Sequence, residues 1–257
     1  MTETILVSRA GAIATITLNR PERLNAWDTI MRARLIAALR NVAGEQGIRA
    51  VIITGAGSRA FCAGQDLNEA IGFDPVRAEA WIEEFHTLYR TVRALEKPVI
   101  AAINGVTAGS AFQFALLTDV RIGHPGVLMG QPEINSGIAS ITGPWIMREV
   151  LGLSRTIELT LTGRMMNAGE ALQNGVLHHV VEEEQVMEKA LEVAETLAAK
   201  PVNAMRLIKR RFFEVLEPGL EEAVVAAKRA HRESFASGEP QRVSSAFLDA
   251  RGGRKNG

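Results

Sequence analysis

Hydrophobic positions follow two different spacings along the chain and divide it near its middle. In the first half, short apolar runs alternate with segments of helical spacing. Residues 5–7 and 12–18 predict a hairpin that turns at Gly11, and residues 49–54 and 99–103 are continuous apolar runs of strand length. Strands that are apolar on both faces lie inside a sheet covered on both sides. This half predicts an α/β fold with recurring strand-strand-helix units.

Helical spacing marks three segments of the first half and most of the second. Asp28 can cap one helix, residues 77–95 carry an amphipathic stripe, and residues 109–117 form a helix of small residues. The later helical segments are residues 145–151, 154–161, 168–172, 185–199, 204–216 and 220–235, with one short strand at 177–181. We therefore expect a C-terminal helical layer whose apolar faces pack within the subunit or against another copy. Residues 251–257 are expected to be disordered.

Charge and hydropathy exclude several classes of partner. Lys plus Arg and Asp plus Glu both number 29, so the chain has no overall field to attract nucleic acid or an anionic membrane. The basic run at residues 209–211 is interpreted as the solvated face of an amphipathic helix. No apolar run reaches the length of a membrane span. We expect neither a nucleic-acid nor a membrane partner.

Cysteine usage and the N-terminal residues favour a cytoplasmic protein. Cys62 is the single cysteine, which excludes an internal disulfide and a cysteine-rich metal site. The first residues match neither a signal peptide nor a transit peptide. The five histidines show no metal-ligand spacing, so we expect no metal site.

Residues 61–67, Phe-Cys-Ala-Gly-Gln-Asp-Leu, follow a predicted buried strand and a glycine-rich loop. Small side chains at residues 62–64 let a ligand approach the main chain, so that an N–H group can point into a pocket. The alternative is a tight turn in which Asp66 caps the next helix. Both interpretations stay open on this segment alone.

Residues 103–113 join a predicted buried strand to a helix whose first turn carries only small side chains. The first amides of a helix have no intrahelical acceptor, and the positive end of the helix dipole faces the same way. This arrangement suits a negatively charged oxygen. Close packing of the helix against the sheet explains the small residues equally well.

Glu133 is the one carboxylate within residues 130–138, a segment of apolar and small residues. A carboxylate removed from water has a raised pKa, which suits a group that accepts and returns a proton near neutral pH. A glutamate after proline is also typical of a solvated turn or a first helical turn.

Taken in order, these segments resemble the enoyl-CoA hydratase/isomerase (crotonase) family over about residues 5 to 235. The motifs that carry the resemblance are Thr17-Leu18-Asn19-Arg20-Pro21, Leu24-Asn25-Ala26, residues 61–67, residues 103–113, residues 130–138, Leu161-Thr162-Gly163-Arg164 and residues 168–176.

The resemblance implies a crotonase-like spiral of ββα units with a C-terminal helical layer. Residues 1–195 would form the spiral core with the acyl-CoA site, and residues 196–257 a helical oligomerisation region. The expected assembly is a homotrimer or a dimer of trimers. The expected substrate is an acyl-CoA thioester, so coenzyme A arrives as part of the substrate and no cofactor is bound permanently.

The resemblance also implies roles for individual residues. The main-chain N–H groups of Gln65 and Ser110 would hold the thioester oxygen, and Glu133 would transfer the proton. Residues implied along the CoA path are Arg23, Leu24, Ala26, Ala63, Gly64, Asp66, Leu67 and Gly109. The acyl pocket would be lined by Trp81, Phe85, Phe112, Met129, Ile138 and Ile141, although aromatic residues on such a stripe are also typical of plain core.

Gln113 departs from the family pattern, in which hydratases usually carry Glu at this position. Glutamine can orient a water molecule but cannot exchange a proton. Glu133 alone is sufficient to move a proton from C2 to C4, which favours Δ3,Δ2-enoyl-CoA isomerisation over hydration. Ile141 replaces the acidic group that some dienoyl isomerases and dehalogenases carry, which disfavours both. Hydroxycinnamoyl-CoA hydratase-lyase or decarboxylase chemistry, and a non-catalytic member that binds acyl-CoA or RNA, remain alternatives.

Overall fold

The computed structural model describes residues 3–253. In chain order its strands and helices are β1 (Ile5–Ala10), β2 (Ile13–Leu18), α1 (Thr29–Gly44), β3 (Ala50–Gly55), β4 (Ala60–Cys62), α2 (Leu67–Ala70), α3 (Pro75–Arg93), β5 (Val99–Ala102), β6 (Val106–Ala108), α4 (Ser110–Leu116), β7 (Val120–Gly123), β8 (Leu128–Gly130), α5 (Thr142–Thr162), β9 (Met165–Asn167), α6 (Ala168–Gln173), β10 (His179–Val180), α7 (Val186–Ala198), α8 (Val202–Ala236) and α9 (Glu239–Gly253). Short 3-10 helices lie at Pro21–Arg23, Glu133–Ser136 and Glu183–Gln185.

The strands form two sheets, and the chain winds through both of them as a spiral. The larger has the order β1-β2-β3-β5-β7-β10, and the smaller has the order β4-β6-β8-β9. Each pair of consecutive strands from β3 to β8 therefore gives one strand to each sheet. Within each sheet these strands run parallel. The predicted α/β class and the recurring ββα unit are confirmed.

The sheets are built where the sequence is most apolar. All six residues of β3 and all four of β5 are buried, and β1 pairs with β2 as the predicted hairpin, from Ile5 opposite Leu18 to Ala10 opposite Ile13. The main core extends from this sheet to α1, whose cap is Asp28 as predicted, and to α3. A second cluster fills the space between the larger sheet and α7.

The spiral determines where a site can form. Because β4, β6 and β8 are parallel neighbours, their carboxyl ends meet at one edge of the smaller sheet. Ligands of parallel sheets bind at such edges. The segments that follow these three strands begin at residues 63, 109 and 131, and they contain the residues predicted to carry the chemistry.

The C-terminal helices differ from the prediction in their number and limits. Residues 204–216 and 220–235 belong to one helix, α8, because Pro218 removes a single hydrogen bond without ending the helix. Conversely, Gly152 has φ 70° and ψ 165° and interrupts α5, close to the predicted break between residues 151 and 154. The predicted domain boundary after residue 195 falls inside α7.

The end of the chain is more ordered than predicted. The sequence pattern gave no helix after residue 235, yet α9 covers residues 239–253. The expectation of disorder is therefore wrong for residues 251–253, and residues 254–257 lie outside the described part of the chain. The oxygen Oγ of Ser244 on α9 donates to the carbonyl of Ser136, so α9 packs on the 3-10 helix that carries Glu133.

The basic run at residues 209–211 is only partly solvated. Lys209 is buried, and its Nζ lies 2.7 and 2.6 Å from the two carboxylate oxygens of Asp119. Interpreting Lys209 as a solvated charge is therefore wrong, because it ties α8 to the start of β7. Arg210 and Arg211 keep exposed ion pairs. None of the helices between residues 3 and 253 combines the length and the hydropathy of a membrane span.

Candidate active site

Three loops at the edge of the smaller sheet are in direct contact. A Cβ placed on Gly64 would lie 2.6 Å from the carbonyl oxygen of Ala108, and one on Gly109 would lie 3.0 Å from Oε1 of Glu133. Both glycines have a left-handed φ, +87° and +60°, which side chains rarely adopt. The structure thus brings together the segments after β4, β6 and β8, as the sequence predicted.

The main-chain N–H of Gln65 points away from Trp27, which is hydrogen-bonded to the residues on either side of Gln65. The N–H of Trp27 donates to the carbonyl of Gly64 at 3.0 Å, and the N–H of Asp66 donates to the carbonyl of Trp27 at 3.1 Å. In a parallel ladder, the residue between two bonded neighbours points its own N–H to the other side. Within residues 3–253 the Gln65 N–H donates to no protein acceptor, so it is free to bind a ligand oxygen.

The amide of Ser110 opens α4, where the helix itself supplies no acceptor. The preceding N–H, that of Gly109, donates to the carbonyl of Gly130 at 2.9 Å, whereas the Ser110 N–H has no protein acceptor in the described part of the chain. A Cβ on Gly64 would lie 3.4 Å from Oγ of Ser110. The two predicted donors therefore belong to adjoining segments.

The side chain of Gln65 is fixed by four hydrogen bonds. Its Oε1 accepts from Nη1 of Arg32 at 2.5 Å and from Nε1 of Trp81 at 3.0 Å. Its Nε2 donates to the carboxylate of Glu69 at 2.8 Å and to the carbonyl of Asp66 at 3.1 Å. The first two groups only donate and the last two only accept, so the partners themselves define how the amide is turned.

Glu133 begins the 3-10 helix after β8. The residue as a whole is partly exposed, but its Oε2 is buried and has no hydrogen-bond partner within the described residues. Its Oε1 accepts from Nε2 of Gln113 at 3.1 Å. Burial raises the pKa of the Glu133 carboxyl to about 8, although hydrogen bonds from its own amide and from Gln113 oppose the shift. Such a group suits proton transfer near neutral pH.

Gln113 is buried beside Glu133 and held by several polar groups. The hydroxyl of Tyr89 donates to its Oε1 at 2.8 Å, and its Nε2 also donates to Oε1 of Gln131 at 3.2 Å. A Cβ on Gly143 would lie 2.7 Å from that Nε2, so a side chain at residue 143 would displace this amide. The network turns the N–H groups of Gln113, and not its carbonyl, towards Glu133.

The stretch predicted to line the CoA path lies beside the loop after β4. Leu24 and Asn25 both have a left-handed φ, 53° and 55°, and the N–H of Ala63 donates to the carbonyl of Leu24 at 3.0 Å. Ala26 is buried, and Arg23 is exposed at the end of the preceding 3-10 helix. The structure groups these residues, and CoA binding by them stays a prediction.

Asp66 and Leu67 lie at the start of α2. The Asp66 carboxylate caps this helix by accepting from the N–H of Asn68 at 3.1 Å, and it also accepts from Arg20 at 3.2 Å. Burial raises the pKa of Asp66, but the bonds from Asn68 and the charge of Arg20 outweigh this effect and hold it below its usual range. The capping interpretation is confirmed, and a contact of either residue with CoA stays a prediction.

The predicted acyl-pocket residues form part of the main core. Those buried there are Trp81, Phe85, Phe112, Met129 and Ile138, and Ile141 packs against them. Trp81 also reaches the site through its bond to Gln65. Core packing thus describes these side chains in the structure, and their contact with an acyl group stays a prediction.

Two residues of the site, Trp27 and Tyr89, were missed by sequence reasoning. The indole N–H of Trp27 donates to Oγ of Ser110 at 3.0 Å, and Tyr89 contacts Gln113 as described. Both are almost fully buried. A buried Trp or Tyr usually bonds its polar atom, so a Trp directly after the Leu24–Ala26 motif was the available signal.

Comparison with known proteins identifies the same family. The family model described as Enoyl-CoA hydratase/isomerase matches residues 8–254. A probable enoyl-CoA hydratase of Rhizobium meliloti (strain 1021) is 32% identical over 250 residues, 97% of this chain and 96% of the relative. The 1,2-epoxyphenylacetyl-CoA isomerase of Escherichia coli (strain K12) is 34% identical over 257 residues, 98% of this chain and 97% of the relative.

Solved structures share the fold as well. An enoyl-CoA hydratase/isomerase from Mycobacterium paratuberculosis superposes with a TM-score of 0.87 at 26% identity, covering 96% of this chain and 99% of that one. A monofunctional enoyl CoA isomerase from M. smegmatis superposes with a TM-score of 0.72 at 30% identity, covering 84% and 95%. The chain belongs to the enoyl-CoA hydratase/isomerase family and has the crotonase fold.

Proposed function

We propose that this chain is an enoyl-CoA isomerase that moves the double bond of a 3-enoyl-CoA to the 2-position. One observation carries the proposal: the carboxylate of Glu133, whose Oε2 is buried, accepts a hydrogen bond from the amide of Gln113 and, within residues 3–253, has no second carboxylate as a partner. A single carboxylate is enough to take up and return a proton. Addition of water across a double bond is better served by two groups that exchange protons.

The substrate binds with its thioester oxygen between the N–H groups of Gln65 and Ser110. Removal of a proton from C2 places negative charge on this oxygen, and two fixed donors in a dry site stabilise that charge. Coenzyme A belongs to the substrate and extends along the stretch that contains Leu24 and Ala26. Both amides are main-chain groups, so they are compatible with a Ser at residue 110.

Glu133 acts on the carbons next to the thioester. In its ionised form it takes the proton from C2, and the electrons spread over C2, C3, C4 and the oxygen. The protonated carboxyl then returns the proton to C4, which leaves the double bond between C2 and C3. Burial raises the pKa of Glu133 to about 8, so the group is a stronger base than an exposed glutamate once ionised.

Gln113 keeps Glu133 in place without competing for the proton. The Nε2 of Gln113 donates to Oε1 of Glu133, while the Oε1 of Gln113 accepts from the hydroxyl of Tyr89. An amide in this position does not protonate a carbanion or deprotonate water. The pair therefore favours isomerisation over hydration.

A second candidate is the isomerisation of 1,2-epoxyphenylacetyl-CoA. It is favoured by 34% identity over 98% of the chain to the Escherichia coli enzyme of that name. Aromatic side chains beside the site, among them Trp81 and Phe85, suit an aromatic acyl group. The reaction would use the same oxyanion donors.

The deciding experiment offers four substrates to the purified protein: crotonyl-CoA, a 3-enoyl-CoA, an aromatic enoyl-CoA and 1,2-epoxyphenylacetyl-CoA. We expect turnover of the 3-enoyl-CoA, its loss in Glu133→Gln, and its retention in the control Glu192→Gln, which changes an exposed glutamate of α7.

Fast hydration of crotonyl-CoA would overturn the argument from Gln113. Turnover of the epoxide alone would select the second candidate, and release of an aldehyde from the aromatic substrate would indicate a lyase. Thioester binding without turnover would indicate a non-catalytic member, and a salt-dependent RNA mobility shift an RNA-binding one.

We also propose a homotrimer or a dimer of trimers. Leu153, Ile157 and Leu161 form an exposed apolar stripe on α5, with exposed fractions of 61%, 48% and 67%. Phe212 on α8 is similarly exposed, at 62%. Large exposed apolar patches mark association surfaces. Analytical ultracentrifugation tests this, and a monomer at micromolar concentration would contradict it.

A further inference from the structure

We propose that Trp27 is a positioning residue that sets the spacing between the two oxyanion-hole amides, and that Ser110 is present to receive its hydrogen bond. This inference rests on the proposed function, because it assigns a purpose to the arrangement of the two donors. The side chains of Trp27 and Ser110 lie beside the two proposed donor amides and take no part in the proton transfer itself.

The main chain of Trp27 holds the first donor. Its N–H and carbonyl bond to Gly64 and Asp66, at 3.0 and 3.1 Å, on either side of Gln65. Two hydrogen bonds that flank one residue fix the direction of its peptide groups. The direction of the Gln65 N–H is therefore set by the position of residue 27.

The side chain of Trp27 holds the second donor. Its Nε1 donates to Oγ of Ser110 at 3.0 Å, and both residues are buried. Its ring meets Phe114 edge-to-face at 5.7 Å, and Phe114 lies one helical turn after Ser110 on the same face of α4. Trp27 thus packs against α4 at Ser110 and Phe114. The main-chain N–H of Ser110, the first of this helix, is the second proposed donor.

One residue therefore spans both halves of the candidate oxyanion hole. A buried indole N–H needs an acceptor, and the hydroxyl of Ser110 supplies one, whereas a glycine at residue 110 would not. Conversely, the hydroxyl would add a polar group to a buried position if Trp27 did not bond it. The indole N–H and the hydroxyl oxygen thus satisfy each other's hydrogen-bonding requirement in the core.

The experiment measures how strongly the hole polarises a bound thioester. Butyryl-CoA labelled with carbon-13 at the thioester carbonyl is the probe, because it lacks a double bond to isomerise, and infrared difference spectra report its carbonyl stretch. We expect a shift to lower wavenumber in the wild type and a smaller shift in Trp27→Phe and Ser110→Ala. Both variants keep the two donor amides, and Ser110→Ala serves if Trp27→Phe does not fold. Trp145→Phe, which changes a tryptophan packed on Gly219, should keep the wild-type shift.

Turnover of the 3-enoyl-CoA gives the second readout. Complete loss of an oxyanion donor typically lowers kcat about 10²- to 10³-fold, and we expect displacement of one donor to lower it roughly 10-fold with little change in KM. If the hydrogen bond is the cause, the double variant is no slower than either single variant. Losses that multiply would overturn the inference.

The outcomes separate the inference from the function on which it rests. Equal carbonyl shifts in the wild type, Trp27→Phe and Ser110→Ala would overturn the positioning role and leave the oxyanion hole intact. No shift in the wild type would overturn the hole itself, and the positioning role with it.

Discussion

Two glutamates in different regions of this molecule each hold a carboxylate oxygen out of water but have opposite surroundings. Glu217 lies between α3 and α8, where its carboxylate oxygens meet Nε of Arg90 and Nη1 of Arg93, both at 2.9 Å. Glu133 lies at the edge of the smaller sheet, where an amide is its side-chain partner and no cationic side chain of residues 3–253 forms an ion pair with it. The carboxylate of Glu217, paired with two arginines of α3, links α3 to α8. A buried carboxyl without a cationic partner stays protonated to higher pH and is available for chemistry.

The largest test of this comparison removes the ionisable group from the site. Glu133→Gln keeps the shape of the side chain and its contact with Gln113, but it cannot accept a proton. General acid–base catalysis typically contributes about 10²- to 10⁴-fold, so we expect kcat for the 3-enoyl-CoA to fall by that factor. Steady-state kinetics measures it, and a change of less than 10-fold would remove Glu133 from the mechanism.

The matching test removes the charge from the other glutamate. In Glu217→Gln, the guanidinium of Arg93 stays buried without its counter-charge, and losses of about 3 kcal/mol are typical of such a change. We expect the free energy of unfolding in urea to fall by about this amount while kcat per folded molecule stays at the wild-type value. A fall in kcat at full folding would mean that the two regions are coupled.

The pH dependence sharpens the comparison further. The base form of Glu133 is the active one, so kcat/KM should rise about 10-fold per pH unit below pH 8 and level off above it. Stability should change in the opposite direction. Because the folded-state pKa of about 8 lies above the ordinary value of 4.5, the stabilisation is complete below pH 4.5 and is lost as the pH rises to 8. Relative to Glu133→Gln, the wild type should therefore lose stability across this range, and parallel profiles would contradict the raised pKa.

The smallest expected effect concerns the group that turns Gln113. Tyr89→Phe removes the hydroxyl that bonds the side-chain carbonyl of Gln113 and also contacts the main-chain carbonyl of Ser110, so the Gln113 amide is held only through its Nε2. A hydrogen bond of this kind is worth about 1 kcal/mol, so we expect kcat to fall about 5-fold, with KM unchanged. Thr91→Val, on the same helix, removes a hydroxyl that bonds only the carbonyl of Thr87 and provides the control.

The centre of the larger sheet was predictable because β3 and β5 are buried along their whole length and are almost entirely apolar. The smaller sheet was not, since β4, β6 and β8 have three residues each, too few to show a periodicity. Their partners also lie far apart in the chain: Ala60 pairs with Val106, and Thr107 with Met129. The smaller sheet, which positions the candidate site, therefore could not be predicted from the spacing of hydrophobic residues.

For the site, the order of the motifs located Gln65, Ser110 and Glu133, whereas the side chains that support them were found only in three dimensions. Trp27 and Tyr89 look like ordinary core residues in the sequence. Their polar atoms matter because of what folding places opposite them. Pro218 shows the reverse case, since its local rule predicts a break that the packing of α8 overrides.

The spiral has a consequence for how this site can diverge. One loop follows each of the strands β4, β6 and β8. The two proposed main-chain donors belong to the first two of these loops, and the proposed acid–base group belongs to the third. In this mechanism, a substitution at residue 133 can therefore redirect the reaction without moving either amide. Successive turns act as separate inputs to one centre, which lets a single scaffold acquire new acyl-CoA reactions by altering one loop at a time.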